Sequence, residues 1–157
     1  AGFYLNEILL RLCPLEEAMP QTFLQYQKTL AQLQLLSTHP QPALFLRQIL
    51  RQFEHALLQE LGYAVDFYVD CNQQAISKVM SYQFQATEGF LPVASRSAAN
   101  LSGELVCCMQ NYVEGAEFSA EQLQLLGKLY RQMISSLLGD RPLKSRQLWI
   151  QSTQSHS

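Results

Sequence analysis

Apolar residues recur with helical period through most of the chain and lose that period in one central stretch. Phe3, Leu5, Ile8, Leu9 and Leu12 return at three- and four-residue intervals, which predicts a first helix closing between Arg11 and Cys13, ahead of Pro14. The segment LEEAMP reads as a connection. A second helix is expected from Pro20–Gln21, with Phe23, Tyr26, Leu30 and Leu33 along one face, ending before the linker STHPQP. Pro42 then sits where a first-turn proline belongs. Leu46, Ile49, Leu50, Phe53, Leu57 and Leu61 follow as a continuous stripe, and Gly62 supplies a left-handed stop.

Residues 63–100 follow a different rule. AVDFYV and SYQFQ alternate in the manner of short strands, and SYQFQATEGFLPV predicts a hairpin turning at TEG. CNQQAISK and ASRSAAN around it are turn-rich. Helical period returns after Ser102, an N-cap candidate, with Leu105, Met109 and Tyr112. Ser119 and Gln122 fit a capping box. They open a last long helix through Leu123, Leu126, Leu129 or Tyr130, Met133 and Leu137, which Gly139 ends and Pro142 keeps from restarting. The polar tail QSTQSHS, residues 151–157, is expected to fray. No internal repeat is present. The expected fold is mainly α: one domain over 1–157, a bundle of about five helices with a small β-hairpin insertion at 63–100.

Composition bounds the function. With 157 residues, 48% hydrophobic and 15% charged, the chain has a globular balance and can bury a core without disulfides or metal. No apolar run approaches the ~18 residues a membrane span needs. AGFYLNEILLRLCP lacks the basic start and cleavage site of a secretory signal, and no Met begins it, so a piece of a longer protein is expected. The net charge of −2 excludes a chain that is basic throughout, but the charge is uneven: −1 over 1–60, −5 over 61–125 and +4 over 126–157. Polyanions should favour the last segment. Cys13, Cys71, Cys107 and Cys108 include one close pair, and that pair is adjacent. Helical neighbours point about 100° apart, so free thiols are expected and no metal or other cofactor.

Catalysis finds little support, and an enzyme would need a pocket holding a perturbed histidine or thiol. His39, His55 and His156 are scattered, and no Ser-His-Asp set, P-loop or H-E-x-x-H occurs. Glu16–Glu17 reads as solvated loop, and the apolar run LVCCM disfavours a thiolate at Cys107 or Cys108. Two features remain. Arg47, Arg51 and His55 stand at i, i+4, i+8 on one edge of the third helix, with Leu58 following. Solvated arginines, with Arg51 paired to Glu54 at the surface, would explain that edge. So would a groove whose guanidinium groups bind a carboxylate beside an apolar pocket. Arg141, Lys144 and Arg146 crowd the stretch just past the last helix, before Leu148, Trp149 and Ile150. They suit either the helix dipole or a phosphate contact.

GFYLNEILLRLCP, ILRQFEHALLQELGYAVDF and LGDRPLKSRQLW, in that order, resemble three signatures of the RecO family of bacterial DNA repair and recombination mediators. The resemblance implies a C-terminal helical domain without the family's N-terminal oligonucleotide-binding barrel. It implies a cytoplasmic, nucleoid-associated, non-enzymatic protein that binds single- and double-stranded DNA, anneals strands and with RecR loads RecA. DNA binding by this chain alone is expected to be weak. Recruitment would come through the acidic, Phe-terminated tail of the single-stranded-DNA-binding protein SSB. Arg51 matches the Arg of the family's LRxFE segment, here Leu50 to Glu54, so the tail is expected at Arg51, Arg47, Leu50, His55 and Leu58. DNA phosphates are expected at Arg141, Lys144 and Arg146. A structural brace for the barrel that contacts RecR and has no ligand site of its own is the alternative. Many relatives carry a four-cysteine zinc site in the insertion; here Cys71 matches its first position, Gln74 fills the second, and PVASRSAAN has no cysteine. The zinc-finger-like insertion must then hold through its hairpin and Phe67, Tyr82, Phe84 and Phe90.

Overall fold

The computed structural model of the chain describes residues 1–13 and 16–139. These form five α-helices and a small antiparallel sheet: α1 Gly2–Leu12, α2 Pro20–Gln34, α3 Pro42–Glu60, β1 Ser81–Gln85, β2 Gly89–Val93, β3 Leu101–Ser102, α4 Gly103–Cys107 and α5 Ala120–Leu138. The fold is mainly α, as the periodicity predicts. Contacts divide it into two units, one built from Ala1–Gly62 with the end of α5 from Ile134, the other from Tyr63–Met133.

In the first unit, Leu5 and Ile8 of α1 meet Phe53 and Leu57 of α3 and Ile134 of α5 in one buried cluster. The i, i+3 and i, i+4 spacings put each pair on one helix face. Gly62, at φ 84°, ends α3 in the conformation its sequence position predicts. The expected apolar faces need two corrections. Phe3 is 58% exposed and Phe23 59%. The residues α2 buries fully are Thr22 and Thr29, two turns apart on one face. Their side chains are short, and the Thr29 hydroxyl donates to the Gln25 carbonyl at 2.7 Å, so burying it leaves no donor unsatisfied. Met19, at the N-cap of α2, brings no capping side chain. Glu60 at the end of α3 does that work: its carboxylate accepts from the N–H groups of Gln21 (3.1 Å) and Thr22 (2.6 Å).

In the second unit, β1 and β2 form the predicted hairpin, with Phe84 opposite Phe90. The short β3 pairs with the other edge of β1, giving the order β2-β1-β3. AVDFYV is not a strand; it makes one isolated bridge, Val69 to Ala75. Asp70 turns the chain there, its Oδ1 accepting from the N–H groups of Asn72 (2.8 Å) and Gln74 (3.0 Å). Phe90 lies at the centre of an aromatic cluster, 5.9 Å from Phe67, 5.2 Å from Phe84 and 6.4 Å from Tyr82. The expected hairpin and aromatic residues are thus part of this unit's buried interior.

Ser102 caps α4, its hydroxyl accepting from Leu105 N–H at 3.2 Å. The helix is shorter than expected and leaves out Met109 and Tyr112. Met109 and Gln110 N–H bond back three residues, to Val106 and Cys107, tightening the chain out of the helix. The capping box is formed reciprocally: Ser119 N–H donates to Gln122 Oε1 (2.8 Å) and Gln122 N–H to Ser119 Oγ (3.2 Å). Beyond it α5 runs to Leu138, and Gly139 follows at φ 65°. Pro14, Pro142 and the tail at 151–157 lie outside the described residues.

Candidate functional site

Arg51 lies on the middle turn of α3, and Glu54 one turn on holds its guanidinium. Nη2 donates to Glu54 Oε1 at 2.9 Å, and Nε faces Oε2 at 2.7 Å in an ion-pair contact. A second helix joins in: Tyr4 of α1 donates its hydroxyl to the same Oε1 at 2.5 Å. Glu54 is 1% exposed. The pair that spacing suggested as a surface contact is therefore a buried one, and a buried carboxylate requires such partners. The side chain of Arg51 stays 18% accessible. Glu54 takes the Nε/Nη2 side of the fork, which leaves the Nη1 end without a protein partner among the described residues.

The other residues expected at this edge are placed unequally. Arg47 is exposed one turn before Arg51, and His55 is half-buried. Leu50 is half-buried, packed on the core cluster of the first unit. Leu58 is 1% exposed, so it belongs to the interior and offers a ligand no surface. Tyr4 was not singled out from sequence, and Glu54 was read only as a surface partner of Arg51. Both lie inside the stretches that carry the resemblance, but a tyrosine and a glutamate on amphipathic helices read as surface. An apolar hollow of about 420 Å³ between α1 and α2 also gave no signal; Leu9, Cys13, Met19, Phe23 and Tyr26 line it. Arg141, Lys144 and Arg146 lie outside the described residues.

Two of the thiols are held in their neutral form. Burial pushes the Cys108 thiol above its ordinary value, with Glu121 and Cys107 adding to the effect; burial, then Glu60, does the same to Cys13. Among the described residues, no group of three or more His, Cys, Asp or Glu side chains is placed to hold a metal ion. No helix among them is long and apolar enough to cross a membrane.

Fold and site together define a mainly helical module with a small sheet, presenting a braced guanidinium from its third helix. Residues 1–147 match the family described as Recombination protein O C terminal, and the chain belongs to that family. Proteins called DNA repair protein RecO are similar along nearly all of it. That of Thiobacillus denitrificans is 36% identical over 98% of this chain and 59% of its own length. That of Pseudoalteromonas translucida is 35% identical over 96% and 61%. That of Pseudomonas aeruginosa is 34% identical over 99% and 62%. The chain thus spans about three fifths of the length of these curated relatives.

Proposed function

We propose that this chain is the helical part of a cytoplasmic, nucleoid-associated recombination mediator in bacterial DNA repair. It works by binding rather than catalysis and needs no cofactor. Its α3 edge receives the acidic, Phe-terminated tail of SSB, and the basic segment at Arg141, Lys144 and Arg146 assists DNA binding. With RecR, the whole protein anneals strands and loads RecA. The observation that carries the docking site is the guanidinium of Arg51, fixed on one side by Glu54 and open at Nη1, with exposed Arg47 one turn away. A carboxylate calls for such a fork, and aspartates call for a nearby cation.

Titration with an acidic peptide ending in Phe tests this. The free-acid peptide should bind more tightly than its C-terminal amide, and Arg51→Ala should weaken the acid form by ~2–4 kcal/mol, the usual cost of truncating a charged anchor. Melting must be followed alongside, because losing Arg51 leaves buried Glu54 short of its cation. Equal affinity for acid and amide would remove the site. A second reading has its own support: the Tyr4–Glu54–Arg51 contacts tie α1 to α3, which a structural brace for a neighbouring domain and RecR would use. That reading expects no peptide binding by this chain.

A further inference from the structure

We propose that Glu54 and Tyr4 are positioning residues for carboxylate recognition, orienting Arg51 so that its end-on N–H edge is set before a ligand arrives. This rests on the docking reading above and extends it to residues that need not touch the ligand. Arginine is a long side chain, and a solvated one must be immobilised when it binds. Here the immobilisation is built in. Glu54 accepts a hydrogen bond from Nη2 at 2.9 Å and lies 2.7 Å from Nε in an ion-pair contact, and Tyr4 O–H, from another helix, donates to the same carboxylate at 2.5 Å. Glu54 is 1% exposed, so it cannot trade these partners for water without opening the helix pair.

The guanidinium has five N–H donors in one plane, and the side-on face given to Glu54 uses the Nε/Nη2 pair. The end-on face, Nη1 with the outer hydrogen of Nη2, can accept a second carboxylate without displacing the first. Two negative charges on one guanidinium oppose each other, and Arg47, exposed on the preceding turn, offsets that. Tyr4 donation also draws charge from the Oε1 that faces Nη2.

The test compares full-chain variants by the ratio of their affinities for the free-acid and amidated forms of one acidic peptide ending in Phe. Glu54→Gln keeps the shape and removes the charge that holds Arg51; it should lower the ratio about 3- to 10-fold, the scale of one newly mobile side chain. Tyr4→Phe should lower it less, in the same direction. Melting of each variant, followed alongside, separates this effect from loss of fold. Arg51→Lys, which keeps the charge and loses the fork, should abolish the preference. If Glu54→Gln does not fold, Tyr4→Phe decides. A wild-type or higher ratio in Glu54→Gln, or in Tyr4→Phe where that decides, with Arg51→Lys still losing it, overturns the positioning role and leaves the docking site standing. Absence of any acid preference in the wild type overturns the docking site itself.

Discussion

A Cβ at Gly103 would lie 1.8 Å from the Ser77 carbonyl oxygen and 3.0 Å from that of Met80, so two backbone segments cross there with no room for a side chain. The Gly103 N–H donates to Met80 O at 2.8 Å, which fixes the crossing. Gly103→Ala must push backbone from backbone and should cost about 2–3 kcal/mol by overpacking. Thermal melting should show a fall of about 5–10 °C for a domain of this size, whereas Gly2→Ala, with nothing within 4 Å, should melt like wild type. Equal melting of the two variants would contradict the crossing. In the sequence Gly103 is only a glycine after a good N-cap; the approach of residues 77 and 80 is tertiary and leaves no local mark. The same holds for Thr22 and Thr29. Each has a polar letter, so pattern reading assigns it to the surface; Thr29 is buried with its hydroxyl on the Gln25 carbonyl, and Thr22 with its N–H on Glu60 but no hydrogen-bond partner for its hydroxyl.

Helix ends show which elements local chemistry specifies. The Ser119–Gln122 box, the Ser102 cap and the glycines after α3 and α5 were legible because each device acts within four residues of its own helix. The N-terminus of α2 was not, because its cap, Glu60, comes from another helix. Burial alone would favour the neutral form of Glu60. The Thr22 side chain and the N–H groups of Thr22 and Gln21 favour the carboxylate and hold its pKa below the ordinary 4.5. Since the folded pKa is the lower one, the cap's contribution is complete above 4.5 and is lost as pH falls through the folded value. Glu60→Gln should therefore destabilise the chain at pH 7 by about 1 kcal/mol, a typical cap contribution. The gap from wild type should narrow as urea midpoints are followed below pH 4.5. A gap that stays constant through that range would mean that Glu60 caps α2 without a shifted pKa.

At the scale of the whole molecule, charge is spread unevenly along the chain. Residues 61–125 carry −5 and residues 126–157 carry +4, so an anion meets repulsion from one segment and attraction from the other. The cations proposed for DNA are Arg141, Lys144 and Arg146, and those proposed for a peptide carboxylate are Arg51 and Arg47, more than eighty residues earlier. The two anions also differ in what they demand. A phosphate backbone rewards charge of any geometry and releases counterions, so its binding falls steeply with salt. One terminal carboxylate rewards a fork in a fixed orientation and depends on salt far less. A double dissociation follows. Replacing Arg141, Lys144 and Arg146 together with Ala should lower the slope of log affinity for single-stranded DNA against log salt by about 2, at ~0.7 for each phosphate no longer neutralised. The peptide's acid-over-amide preference should not change. Arg51→Lys should do the reverse, keeping the DNA slope and losing the preference. If the triple variant lost both, one surface would serve both anions, and the separate assignment of the two sets of cations would be wrong.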